Sequence, residues 1–289
     1  MKLNGRRQSS NVDDRRGSRG RRTTTLAGGI GGIIIAALIA WISGGNPLDV
    51  LTQGAGNMLT SGTQGADYVP TPEDEELARF SSQILAGTED VWTEQFNRMG
   101  MEYEPPKLVL YTGSTPTACG NGQAAMGPFY CSADQTVYLD LSFFKDMRRT
   151  LGADGDFAYA YVIAHEVGHH VQYLLGILDD AHTQMSRLPE AQSNRISVRL
   201  ELQADYLAGV WAKHDNERFG SLEEGDIEEA VQTAQKIGDD YLQRKAQGYA
   251  IPESFNHGTS EQRQRWLLKG LRSGDVSNGD TFSVSYESL

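Results

Sequence analysis

The chain has 289 residues, of which 39% are hydrophobic and 22% charged, an ordinary globular make-up with ample material for a core. Its net charge is −12, yet residues 1–24 carry eight Lys and Arg against two Asp, so everything after them carries −18. An acidic body of that kind excludes nucleic acid as the main partner, because phosphate neutralisation needs clustered Lys and Arg.

In chain order, the stretch "MKLNGRRQSSNVDDRRGSRGRRTT" (1–24) reads as a basic tail. No charge follows from Thr23 to Leu48, and "LAGGIGGIIIAALIAWI" (26–42) has the length and apolarity of a membrane span, with Trp41 near one end. The sequence therefore predicts one uncleaved transmembrane helix at 25–44, a single-pass anchor in the cell membrane. Arg15, Arg16, Arg19, Arg21 and Arg22 precede it, and the positive-inside bias places the N-terminus in the cytoplasm and the rest outside, periplasmic or external. Residues 45–70, rich in Gly, Thr and Ser, read as a linker. A folded domain is expected at 71–274 and a frayed tail at 275–289.

Within that domain Thr71 is placed to cap a helix opening with Pro72 and three acids, its apolar face made by Leu77, Phe80, Ile84, Leu85, Val91 and Phe96. "PPKLVLYTG" and "GPFYCSADQTVYLDLSFF" read as short strands, the second as a hairpin turning at "SADQ". The strand "TVYLDLSFF" is the expected edge for an extended peptide. Helices are predicted at Asp156–Gly176, Ala191–Asp215, Ser221–Gln247 and Thr259–Leu271. Cys119 and Cys131 are the only cysteines, and outside the cytoplasm such a pair forms a disulfide worth roughly 3 kcal/mol in the chain-entropy picture.

Half of the six histidines lie in "AHEVGHHVQ" (164–172), inside an apolar helix. Residues four apart on a helix point the same way, so His165 and His169 aim two imidazoles at one point, and Glu166 sits at its rim as a general base. This is the H-E-x-x-H arrangement of zinc proteases. His170 faces about 100° away and suits packing or support. A third ligand comes from "RLELQADYLAGVWA": Glu201 and Asp205 share one face of an apolar helix, a costly placement unless a cation meets them. Glu201 reads as the third ligand and Asp205 as the partner of the far nitrogen of one histidine.

H-E-x-x-H followed by E-x-x-A-D resembles the gluzincin metallopeptidases. "ESFNHGTSEQRQRW" is similar to the Thr-His-Pro stretch of membrane-bound gluzincins, with His257 and Arg263 on matching positions and Gly258 in place of proline. Over nearly its full length the chain resembles the bacterial neutral zinc metallopeptidases of the YpfJ-like type, through "GRRQSSNVDDRRG", "TACG", "GPFYCSADQTVYLDLSFF", "AHEVGHHVQ", "ELQADYLAGVWA" and "HGTSEQRQRW". The resemblance implies an α+β, mainly helical, zincin-like domain with a small β-sheet, behind the transmembrane helix. It implies a membrane-tethered metallopeptidase using one Zn2+ per chain, acting on a peptide or protein substrate. His257 is the expected oxyanion donor, with Tyr206 and Tyr249 as alternatives. Two other classes are compatible with the sequence: a non-catalytic protein stabilised by zinc, and a zinc hydrolase for a non-peptide amide.

Overall fold

The computed structural model describes residues 1–17 and 68–289, and its first element lies where the sequence predicts a basic cytoplasmic tail. Strand β1 (Val12–Asp14) runs parallel to β2 (Lys107–Tyr111), with Val12 opposite Leu108 and Asp14 opposite Leu110. The arginines around it meet acids of the body. Arg6 pairs with buried Asp215 at 2.7 Å, Arg7 with Glu89 and Asp90 at 2.8 and 2.6 Å, and Arg16 donates to the Asp74 carbonyl at 3.0 Å. The basic segment is thus held by the acidic body that its charge complements.

This overturns the expected membrane topology. Among the described residues no helix is long and apolar enough to cross a membrane, which conflicts with a single-pass anchor. The span expected at 25–44 lies outside the described residues. A single crossing between residues 17 and 68 would also separate two segments that are hydrogen-bonded to each other, so the cytoplasmic tail and external domain are withdrawn together. The physical reason is that Arg6, Arg7 and Arg16 have acid partners in the body, which a charge count along the chain does not reveal.

Helix α1 (Pro72–Arg98) follows, capped as its sequence requires: Thr71 and Asp74 exchange side-chain to backbone hydrogen bonds in a capping box. β2 leads into a two-stranded ribbon, β3 (Ser114–Thr117) with β4 (Gly120–Gln123), and then the hairpin of β5 (Phe129–Cys131) and β6 (Thr136–Asp140). The four-stranded order is β1-β2-β6-β5, with β5 the only antiparallel neighbour. β6 is therefore interior, paired on both sides, and cannot offer an edge to a peptide; that edge belongs to β5. Alternation splits the sheet's faces. Leu108, Leu110, Val137 and Leu139 join the main helical core, whereas Val109, Tyr111, Tyr138 and Cys131 form a smaller cluster on the other side. The Cys119–Cys131 disulfide, with Cα atoms 5.8 Å apart, ties the β3–β4 ribbon to the edge strand there.

The remainder is helical: α2 (Ser142–Asp146), α3 (Asp156–Leu174), α4 (Ile177–Met185), α5 (Glu190–Phe219), α6 (Asp226–Lys236), α7 (Asp239–Gln247) and α8 (Ser260–Ser273). The single helix predicted at Ser221–Gln247 is broken between α6 and α7. Gly238 lies against the start of α8, where a Cβ would come within 2.3 Å of the Ser260 nitrogen. The segment 275–289 is not frayed: it packs along α5 and α8, and Leu289 is buried. The fold is mainly helical α+β with small sheets, and among the described residues no helix is long and apolar enough to cross a membrane.

Candidate metal centre

Helix α3 is buried on nearly every side because its sequence from Phe157 to Ala164 holds only apolar and tyrosine side chains. That surround is what puts His165 and Glu166 inside the protein. Helix α5 crosses it closely at Gly168, the fourth residue of the motif. A Cβ there would meet the Ala204 carbonyl at 3.0 Å, so glycine is what allows Glu201 to reach the histidines. The Glu201 carboxylate lies 3.1 Å from His165 Nε2 and 3.5 Å from His169 Nε2. One ligand atom from each of His165, His169 and Glu201 falls within 4.8 Å of the others.

On the far side of His165, Asp205 Oδ1 takes the Nδ1 proton at 2.8 Å. Asp205 is fully buried and saturated. It also accepts from the Tyr161 hydroxyl at 2.6 Å and from the Arg263 guanidinium, Nε and Nη2, at 2.9 Å each. The Nδ1 of His169 donates instead to Gln172 Oε1 at 2.8 Å. Each ligand imidazole is thus oriented from behind, leaving both Nε2 atoms on the Glu201 side.

Electrostatics follow this packing. Burial alone would pull His165 down, but Asp205 and Glu201 override it and push its pKa up to about 10. Burial would raise Glu201, yet His169 and His257 outweigh that and hold it well below the usual carboxylate range. Glu166 differs: burial dominates and lifts its carboxyl above the ordinary value, despite the two imidazoles beside it. Its place beside the two histidines puts this carboxyl where it can exchange a proton with a group held there.

The other sequence-predicted residues fall around this cluster. His257 lies within electrostatic reach of Glu201, its pKa lowered by burial but raised overall by Asp239 and Glu201. Its Nδ1 faces Asp239 Oδ1 at 3.2 Å, while Asp239 Oδ2 accepts the backbone N–H groups of Asn256, His257 and Gly258 at 2.8, 2.7 and 3.0 Å. Gly258 has φ +95°, which the proline expected by resemblance cannot adopt. Tyr206 is turned away, its hydroxyl on the Asp275 carbonyl, and Tyr249 is exposed. His170 bridges elements: Nε2 donates to the Glu104 carbonyl at 2.6 Å, so Nδ1 accepts from the Tyr130 hydroxyl at 2.8 Å, and burial lowers its pKa to about 4. It fastens α3 to the edge strand β5.

Sequence reasoning missed Asp239, Tyr161 and Gln172. Asp239 carried a signal, an acid directly after a glycine in a helical run. Gln172 lies three residues after His169 on the same helix, a spacing that places side chains together.

Two imidazole nitrogens and one carboxylate are a donor set that zinc accepts, and three protein ligands with a fourth position open mark catalytic rather than structural sites. The family described as "Putative neutral zinc metallopeptidase" matches residues 1–282. The chain belongs to that family. It is 49% identical to the "Uncharacterized protein YpfJ" of Escherichia coli (strain K12) over 290 residues, covering 99% of this chain and all of that one. It is 41% identical to an uncharacterized protein of Mycobacterium tuberculosis over 193 residues, which are 63% of this chain and 64% of the relative. No solved structure matches the chain. Membership implies zinc, and the residues present fit it.

Proposed function

We propose that the protein is a zinc-dependent peptidase holding one Zn2+ per chain on His165, His169 and Glu201, with Glu166 as general base. The observation that carries this reading is the convergence of three ligand atoms beside a buried glutamate. Zinc bound there supplies a Lewis acid that polarises a carbonyl and brings the pKa of water towards ~7. Glu166 takes the water proton on its carboxylate and returns it to the leaving amine nitrogen. His257, oriented through Nδ1 by Asp239, offers Nε2–H to the oxygen on which charge develops. An extended peptide is seated along the outer edge of β5, whose position relative to α3 is set by His170 and Tyr130. Backbone pairing of that kind gives a loose sequence preference and no role for nucleic acid.

The test is cleavage of a mixed peptide library by the full chain, with and without a chelator. Glu166→Gln is expected to lower turnover by 10²-fold or more while zinc stoichiometry stays at one. Full activity in that variant removes the general-base role. Chelator-insensitive cleavage removes zinc, and cleavage of only non-peptide amides moves the enzyme to the other hydrolase class.

A further inference from the structure

We infer that the centre prefers peptides with a lysine or arginine beside the bond to be cut, the stem lying on Tyr130 and Tyr173 and the cation meeting Asp179. This rests on the peptidase reading above and deepens it by naming the substrate class.

Helix geometry begins the argument. On α3, His165, His169 and Tyr173 follow at intervals of four, so Tyr173 stands one turn beyond the second histidine on the same face. Its ring lies 6.5 Å from that of Tyr130 on β5, and both residues are half-buried. Both are fixed by one imidazole: Tyr130 bonds His170 through its hydroxyl, and Tyr173 stacks on it at 6.4 Å. Two aromatic side chains therefore form a shelf next to His169, on the side where β5 presents its edge.

Helix α4 closes that shelf. Leu178 and Ala181 are buried against Leu200, with Tyr130, Tyr173 and Ile177 packed around them. The neighbouring face, turned by about 100°, carries Asp179 and His182, which three-residue spacing brings together. Asp179 lies within electrostatic reach of Tyr130, and His182 within reach of both His169 and Asp179. This face of α4 thus borders the metal centre at both of its residues. The other acids near the centre have partners: Asp205 holds Arg263 and His165, and Asp239 holds the loop 256–258. Asp179 is exposed and makes no hydrogen bond or ion pair with any described residue.

The combination selects among side chains. An apolar residue would use the rings and leave the carboxylate unused, and an acidic one would be repelled by it. Lysine and arginine match both parts, because their methylene stems lie along apolar surface while the charged head stays in water. The ring faces attract the same cation.

The experiment uses the zinc-loaded full chain and peptides alike except at one residue, Lys, norleucine or Phe, placed before the scissile bond in one set and after it in another. Norleucine keeps the lysine stem and lacks the amine. The readout is the ratio of kcat/KM for Lys over norleucine within each variant, so differences in folded fraction or zinc loading cancel. In one set wild type is expected to favour Lys by about 5-fold at low salt, the upper range for an exposed ion pair, and by less as salt is added. Asp179→Asn is expected to bring that ratio near one, and Asp179→Lys to put norleucine ahead. A wild-type ratio of one in both sets, a ratio unmoved by Asp179→Asn, or Phe preferred over Lys overturns the inference. Wild type that cleaves none of the peptides defeats the peptidase reading instead. The same ratio, read from peptide binding by fluorescence anisotropy, then decides for or against Asp179.

Discussion

The two histidine ligands are held from behind by opposite chemistries. His165 leans on a charged network, Asp205 with Arg263 and Tyr161, while His169 leans on a neutral amide, Gln172. Both arrangements place a proton on Nδ1 and turn Nε2 towards Glu201. They differ in what happens when one member is lost. A buried ion pair that loses a partner leaves an uncompensated charge, costing far more than a missing amide bond. The charged side also raises the electron density of its imidazole more strongly, whereas the neutral side fixes geometry with little change in charge. The difference teaches that one half of the site is held because failure is expensive, and the other because the Leu200 carbonyl, which only accepts, fixes the polarity of Gln172.

The comparison is broken most severely at Arg263. Arg263→Leu leaves Asp205 buried beside His165 and Tyr161 without its cation, and a loss of about 3–5 kcal/mol is expected in denaturant unfolding of the metal-free protein. Arg263→Lys is expected to recover only part of it, since a point charge cannot reproduce the two parallel bonds to the carboxylate. Recovery by Lys to wild-type stability, or a loss under about 1 kcal/mol for Leu, shows that the network is not what holds this half together.

A milder change sharpens it. Tyr161→Phe removes one donor to Asp205 Oδ1 and leaves the His165 and Arg263 bonds in place. A hydrogen bond to a charged acceptor contributes about 1.5–3 kcal/mol, and the lower end is expected here because Asp205 keeps its other partners. Zinc affinity is expected to fall less than in Arg263→Leu. The reverse order, read in one titration series, means that the hydroxyl and not the guanidinium orients the carboxylate.

How much of this was legible beforehand depended on whether a residue's role was local. His165, Glu166 and His169 were readable because helix geometry alone brings them together, and Glu201 with Asp205 because two acids on one face of an apolar helix demand a cation. Asp239 was not, since it acts only after the run 221–247 breaks at Gly238 and the loop 256–258 folds back onto its carboxylate. Gln172 was overlooked for another reason: its spacing from His169 was there to read, but glutamine is normally a surface residue and this one is buried. The basic N-terminal segment misled for a third. Its arginines fit the charge pattern of a membrane anchor, but the acids that Arg6 and Arg7 meet are 82 or more residues away along the chain, and the Asp74 carbonyl and Glu75 carboxylate that Arg16 meets are 58 and 59 residues away. Cys119 and Cys131 illustrate the converse. The disulfide was expected from the compartment that the predicted anchor implied, and the ribbon and edge strand bring the pair together whatever becomes of the anchor.

The smallest expected effect places the same ionic chemistry near the surface, where water should blunt it. At the start of α1, Asp74 accepts from Thr71 N and Oγ1 at 2.9 and 2.8 Å and from Lys145 Nζ at 2.7 Å, with Lys145 about one-third exposed. Burial would raise the Asp74 carboxyl, but Lys145 and Thr71 outweigh it and hold it well below the usual range. A carboxyl whose folded pKa is depressed adds stability that is complete above its unfolded value, ~3.9, and is lost as pH falls through the folded one. Asp74→Asn is therefore expected to cost about 1 kcal/mol between pH 5 and 8, consistent with a cap and a partly exposed pair. The gap to wild type should narrow below pH ~4, where the unfolded carboxyl begins to bind the proton that the folded one still excludes. A gap that stays constant down to pH 3 would mean that shape rather than charge sets the contribution. A gap as large as that of Arg263→Leu would mean that burial is not what separates the two ion pairs.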